Sequence, residues 1–193
     1  QISESAKLTM LRNATWALSN FSRGKPLPSM DIIKEILIWL CRLVYRDEDE
    51  EIMIEALWAF SYLTEGSEEI VAEILRSGVA RRITDSLLHH RIAIKIPALR
   101  TVGNIVAGNE THTQLLINVG VLPCLSSLLT YHKYGVCKEA CWAISNITAG
   151  NNDQINSVIN ANIIPPLILL IKNAKYDIKI EAAWSIANIC TGG

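Results

Sequence analysis

One feature dominates this sequence: a period. Trp16, Trp58, Arg100, Trp142 and Trp184 recur at a constant interval of 42 residues. Ala14, Ala56, Ala98, Ala140 and Ala182 align in the same frame, as do Asn20, Tyr62, Asn104, Asn146 and Asn188. So do Gly24, Gly66, Gly108, Gly150 and Gly192. A second marker, "SGV" at 77–79, "VGV" at 119–121 and "ANI" at 161–163, keeps the register. A fixed period of this length means stacked modules, none of which buries its apolar surface alone.

The punctuation within one period predicts three helices. In residues 109–150, "NETHTQLLINVG" opens on a polar cap and stops at Gly120. "VLPCLSSLLT" follows, with Pro123 tolerable in its first turn. "VCKEACWAISNITAG" is the third helix and ends at Gly150. Three helices per period of 42 residues is the armadillo pattern. The expected fold is therefore all-α, a right-handed superhelical solenoid of three-helix repeats with a concave face. Its expected division is a lone third helix over 1–24 and repeats over 25–66, 67–108, 109–150 and 151–193. In the first of these repeats "RGKPLPSMD" replaces the first helix with a proline-bearing loop, and "IIKEILIWLCRLVY" forms a longer second helix. The acidic run "RDEDEE" reads as a solvated turn. Both ends read as cut from a longer parent, with apolar faces left open.

Composition narrows the function. Half the residues are hydrophobic and the formal charge is −1, so no global field draws the chain to nucleic acid or anionic lipid. Five cysteines without a CxxC pair argue for reduced thiols in a cytosolic or nuclear protein. The longest low-charge stretch is broken by Pro165-Pro166 and is no membrane span.

A helical wheel at about 100° per residue locates the repeated residues. With Ala140 at zero, Ile144, Ile147 and Ala143 form one apolar stripe, while Trp142, Asn146 and Glu139 lie on the opposite side. Trp184, Asn188 and Glu181 follow the same rule, as do Trp58, Tyr62 and Glu55. Trp16 and Asn20 stand with Asn13 instead of a carboxylate. Trp39 is off this register and reads as core. A row of exposed apolar rings marks an interaction surface. An Asn amide can pair with both N–H and C=O of an extended peptide. Tryptophan faces accept lysine and arginine stems and attract their charges, at about 0.5–2 kcal/mol each. The ligand this pattern suits is an extended, lysine- and arginine-rich segment.

"TWALSN", "LWAFSYLTEG", "ALRTVGNIVAG", "CWAISNITAGNNDQI" and "AAWSIANICTGG" resemble successive third helices of importin-alpha (karyopherin alpha), in the order of that family's repeats four to eight. The resemblance implies a nuclear import adaptor that binds basic nuclear localisation signals and shuttles between cytoplasm and nucleus. It implies an intact minor peptide site: Trp142, Asn146, Trp184 and Asn188, with Ser145, Glu139 and Glu181 beside them. Asn104, Val106, Gly108 and Thr113 would help form its lysine pocket. Arg100 and Tyr62 match the segment between the family's two sites. A partial major site would comprise Trp16, Asn20, Trp58, Arg23, Glu55 and Glu65. Importin-beta would bind through an amino-terminal arm outside this chain. Neither nucleic acid nor membrane is an expected partner.

Other chemistry finds little support. Gly103 and Gly108 have phosphate-loop spacing without the following Lys-Ser/Thr or a preceding strand. Cys137 with Cys141 reads as buried thiols and His89-His90 as a solvated helix end, so no metal or other cofactor is expected. No Ser/His/Asp or Cys/His constellation points to an enzyme. Two alternatives stay open: a catenin-like scaffold, which would want a basic groove for acidic partners, and a structural spacer.

Overall fold

The computed structural model describes residues 4–192, and among them every regular element is helical. The chain divides into two compact units, Gln1–Thr101 and Val102–Gly193. The first holds α1 (Glu4–Arg23), α2 (Met30–Leu43), α3 (Glu50–Leu63), α4 (Glu68–Arg76) and α5 (Ala80–Ser86). The boundary falls inside α6 (Ile92–Val106). The second holds α7 (Glu110–Asn118), α8 (Val121–Leu129), α9 (Tyr134–Thr148), α10 (Asn152–Asn160), α11 (Ile164–Asn173) and α12 (Tyr176–Gly192).

The repeated markers are turns with a physical cause. Gly78, Gly120 and Asn162 all have positive φ, at +80°, +88° and +55°. Each sits between a short first helix and a second helix. Glycine enters the left-handed region without a Cβ penalty, and asparagine is among the few other residues that tolerate it. Such a residue turns the chain sharply: α7 meets α8 at 85°, and α10 meets α11 at 82°. Asn109 and Asn151 cap the helices that open these bends, accepting from Thr111 N at 2.7 Å and Gln154 N at 3.1 Å.

A second device recurs where the second helix ends. Lys95 Nζ donates to the Leu87 carbonyl at 2.9 Å, and Cys137 Sγ donates to the Leu129 carbonyl at 3.1 Å. Lys179 Nζ donates to the Lys172 carbonyl at 3.1 Å. These donors are one period apart. Each reaches back from the start of a third helix to a carbonyl that the preceding helix cannot satisfy.

Third helices pack side by side, α1 on α3 in the first unit and α9 on α12 in the second. Ala56, Ala98, Ala140 and Ala182 are completely buried, because a methyl group is all that the close approach admits. Ala14 is exposed, and the apolar face of α1 remains open. A cavity of about 660 Å³ lies against it, lined by Leu11, Ala14, Leu18, Phe21, Trp39 and Leu43. Trp39 therefore differs from the core position expected of it: it is 57% exposed at the mouth of this groove.

The acidic run also differs from a solvated turn. Asp49 is only 3% exposed. Its carboxylate caps α3 by accepting from Glu51 N and Ile52 N, and it receives Arg12 Nε of α1 at 2.8 Å. Burial alone would raise its pKa. The Arg12 hydrogen bond and charge, with the two backbone N–H groups, overcome this and hold it below the ordinary 3.8.

Candidate functional site

The residues singled out by the period fall into two groups, one per unit. In the second unit, α9 carries Glu139, Trp142, Ser145 and Asn146, and α12 carries Glu181, Trp184 and Asn188. Their side chains meet across the helix pair. Ser145 Oγ donates to Glu181 Oε2 at 2.8 Å, with the Trp142 carbonyl a second acceptor at 3.0 Å. Asn188 Nδ2 donates to the Ser145 carbonyl at 3.3 Å, with Thr148 Oγ1 at 3.5 Å. The Asn188 oxygen keeps its acceptor capacity.

Trp184 is 61% exposed, whereas Trp142 is half-buried. The difference has a named cause. The Trp142 indole lies on Gly103 of α6, where a Cβ would come within 2.5 Å of Cζ3. Glycine at 103 is therefore the seat of the ring, a role that the sequence does not advertise. Asn146 is half-buried, and its Nδ2 is enclosed without a hydrogen-bond partner. Asn104 is half-buried and has a partner within the protein. Val106 and Thr113 are buried, with Thr113 Oγ1 donating to the Asn109 carbonyl at 3.2 Å, and Gly108 is exposed. Glu139 is half-buried, and no ion pair joins Glu139 or Glu181 to a Lys or Arg among the described residues.

The first-unit group carries cations of its own. Trp16 is 60% exposed, and Asn20 Nδ2 donates to the Trp16 carbonyl at 2.9 Å within α1. Trp58 stacks on Tyr62 at 5.7 Å between ring centroids and 22° between planes. The Arg23 guanidinium stands 5.9 Å from the Tyr62 centroid. Glu65 faces two cations, Lys25 at 3.8 Å and Arg100 at 3.9 Å. Glu55 is half-buried beside Trp58 in sequence and joins no ion pair among the described residues. Lys25 was invisible to the repeat argument because it lies in the loop that replaces a first helix.

Burial pushes Cys141 up to about 12, with lesser contributions from Cys137 and Glu181, and burial raises Cys137 as well. No single helix among the described residues is long and apolar enough to cross a membrane.

Helix triplets with a 42-residue period, each bent at a left-handed residue between its first and second helices, define the armadillo class. Comparison with known proteins agrees. The Armadillo/beta-catenin-like repeat family matches residues 109–149 and 151–191. A designed armadillo repeat protein in complex with the peptide (KR)4 superposes with a TM-score of 0.87 at 32% identity, covering 98% of this chain and 80% of that one. The chain belongs to the armadillo-repeat family. Within it, homology runs to the importin alpha subunits. Importin subunit alpha-1b of Oryza sativa subsp. japonica is 53% identical over 104 residues, 54% of this chain and 19% of the relative. Importin subunit alpha-B of Dictyostelium discoideum is 49% identical over 98 residues, 51% of this chain and 19% of the relative. The chain thus spans about a fifth of the length of these curated relatives.

Proposed function

We propose that the chain is the peptide-binding part of a nuclear import adaptor, and that it takes extended lysine- and arginine-rich segments of nuclear localisation signals. The repeats would run 25–66, 67–108, 109–150 and 151–193 behind a lone third helix over 1–24, and the parent protein would shuttle between cytoplasm and nucleus. Its task is recognition, with no bond made or broken.

The observation that carries this reading is the Trp142–Glu181–Trp184 arrangement in the second unit. Ser145 of α9, three residues after Trp142, fixes the Glu181 carboxylate of α12, three residues before Trp184, and among the described residues no Lys or Arg forms an ion pair with it. A lysine or arginine stem fits against indole faces and its charge meets Glu181 or Glu139, each cation–π contact contributing about 0.5–2 kcal/mol. Asn188 offers its oxygen to a peptide N–H. The enclosed Nδ2 of Asn146 is a donor whose lack of a partner costs about 1–3 kcal/mol. Rotation about its χ2 turns that donor toward a peptide carbonyl and removes the penalty. Asn104, Val106, Gly108 and Thr113 would frame the end of this site, with Val106 and Thr113 acting as supports beneath it.

The first-unit residues Trp16, Asn20, Trp58, Arg23, Glu55 and Glu65 would form a second, weaker contact region. Arg100 and Tyr62 stand where the tryptophan–asparagine array is interrupted. The designed relative crystallised with (KR)4 supports the same ligand chemistry on this fold. Importin-beta would be the transport partner of the parent protein. Tryptophan fluorescence titrated with a (KR)4 peptide and with a glutamate-rich peptide of equal length tests the reading. Saturable quenching by the basic peptide alone is expected; preference for the acidic peptide would favour a catenin-like scaffold instead.

A further inference from the structure

Glu50, at the start of α3, meets His89 and His90, in the loop before α6, within the first unit. Their candidate ligand atoms all lie within 4.8 Å of one another. We propose that Glu50, His89 and His90 form a three-ligand site for a borderline transition-metal cation, with Zn2+ the reference ion and water completing the coordination.

The donor set suits such an ion: two imidazoles and one carboxylate with an open fourth position. The spacing suits it as well. Tetrahedral bonds of about 2.0–2.1 Å place neighbouring ligand atoms about 3.3 Å apart. Glu50 Oε1 lies 3.3 Å from His90 Nε2 and 3.8 Å from His89 Nε2. The two rings are stacked, 4.3 Å between centroids and 29° between planes, so both present nitrogen to the same carboxylate.

The surroundings are already organised. Arg91 Nη1 donates to Glu50 Oε2, which holds the carboxylate and leaves Oε1 turned to the histidines. A hydrogen bond to the second oxygen of a ligating carboxylate is the usual outer support of metal sites. His90 is 77% exposed in its side chain and supplies the entry path, whereas His89 and Glu50 are partly enclosed.

One contact opposes loading. His89 Nδ1 accepts the Arg91 backbone N–H at 3.1 Å, which places the neutral ring's proton on Nε2. Coordination through Nε2 moves that proton to Nδ1 and gives up this hydrogen bond. The positive Arg91 nearby also works against a dication. Both contacts weaken the affinity that the donor set alone would give.

No residue of this site belongs to the peptide-binding group, so the two proposals stand or fall separately. The test is titration of the whole chain with Zn2+ by calorimetry, and with Co2+ by absorption, at neutral pH. One ion per chain is expected, with a ligand-field spectrum free of a thiolate charge-transfer band. His90→Ala and Glu50→Gln each weaken binding by about tenfold or more, and Cys190→Ser changes nothing. His90 is exposed, so its variant keeps the fold even where Glu50→Gln disturbs the Arg91 pair. Absence of binding at millimolar Zn2+, equal binding by His90→Ala, or a thiolate band would overturn the proposal.

Discussion

The two units present related third helices with different charges around them. In the second, Ser145 of the Trp142 helix holds Glu181 of the Trp184 helix, and among the described residues no Lys or Arg forms an ion pair with that carboxylate. In the first, Trp58 is stacked under Tyr62, Arg23 stands over Tyr62, and Lys25 and Arg100 share Glu65. The same helical register leaves a carboxylate without an ion pair in both units, Glu181 in the second and Glu55 in the first, and the first differs in the Arg23, Lys25 and Arg100 cations gathered about Tyr62 and Glu65.

The comparison breaks most decisively at the tryptophans. Trp184→Ala should weaken binding of a lysine- and arginine-rich peptide by about 30-fold, in the range of an aromatic hot spot. Trp16→Ala should weaken it by about threefold or less, and calorimetry on the two variants reads the gap directly. Equal losses would remove the distinction between the units.

Gly103→Ala sharpens the geometric side of the argument. Alanine favours a helix interior over glycine by about 1 kcal/mol. Yet the new Cβ would strike Trp142 Cζ3 at 2.5 Å. The ring must leave its seat, and peptide affinity should fall about tenfold while thermal stability does not follow intrinsic propensity upward. Unchanged affinity would show that Trp142 binds from a different position.

Arg23→Ala tests the first-unit cations. Removing the guanidinium from Tyr62 should raise the affinity of the first unit for a basic peptide by about twofold to threefold, a modest gain because exposed charges are well screened. It should be measured with the second unit disabled by Trp184→Ala. A further loss would contradict the electrostatic contrast.

The smallest effect is in acid. The hydrogen bond from Tyr134, then that from Lys138, hold Asp177 at about 2, below its ordinary 3.8, and tie the starts of α9 and α12. A depressed carboxylate contributes its stability above the unfolded value and loses it as pH falls through the folded one. The second unit should therefore lose a small increment between about pH 4 and pH 2, and Asp177→Asn should flatten that part of the melting profile. In the first unit Arg12 and Asp49 act in the same direction between α1 and α3.

Period and turn chemistry made most of the fold legible. Gly78, Gly120 and Asn162 announce a backbone conformation that few residues accept, and the alanines announce close helix packing. The wheel could assign Trp142 and Trp184 to the same side of their helices. It could not tell that one ring would lean onto Gly103 and the other stand free, because lean depends on the facing helix. Trp39 was misread for a related reason: an apolar ring off the repeat register is buried only where a neighbouring helix covers it. Asp49 was misread because charge density along the sequence says nothing about a cap or about Arg12, 37 residues away. Glu50, His89 and His90 likewise converge only once α3 and the loop before α6 are side by side.

The central claim is that indole rings of the second unit receive a cationic strand. Five indole N–H groups give five separate reporters in a 15N-labelled chain titrated with a (KR)4 peptide. The Trp142 and Trp184 signals should shift together and saturate with one affinity, the Trp16 and Trp58 signals should respond less, and that of Trp39 should stay still. A response confined to Trp39, or none at Trp142 and Trp184, would contradict the account.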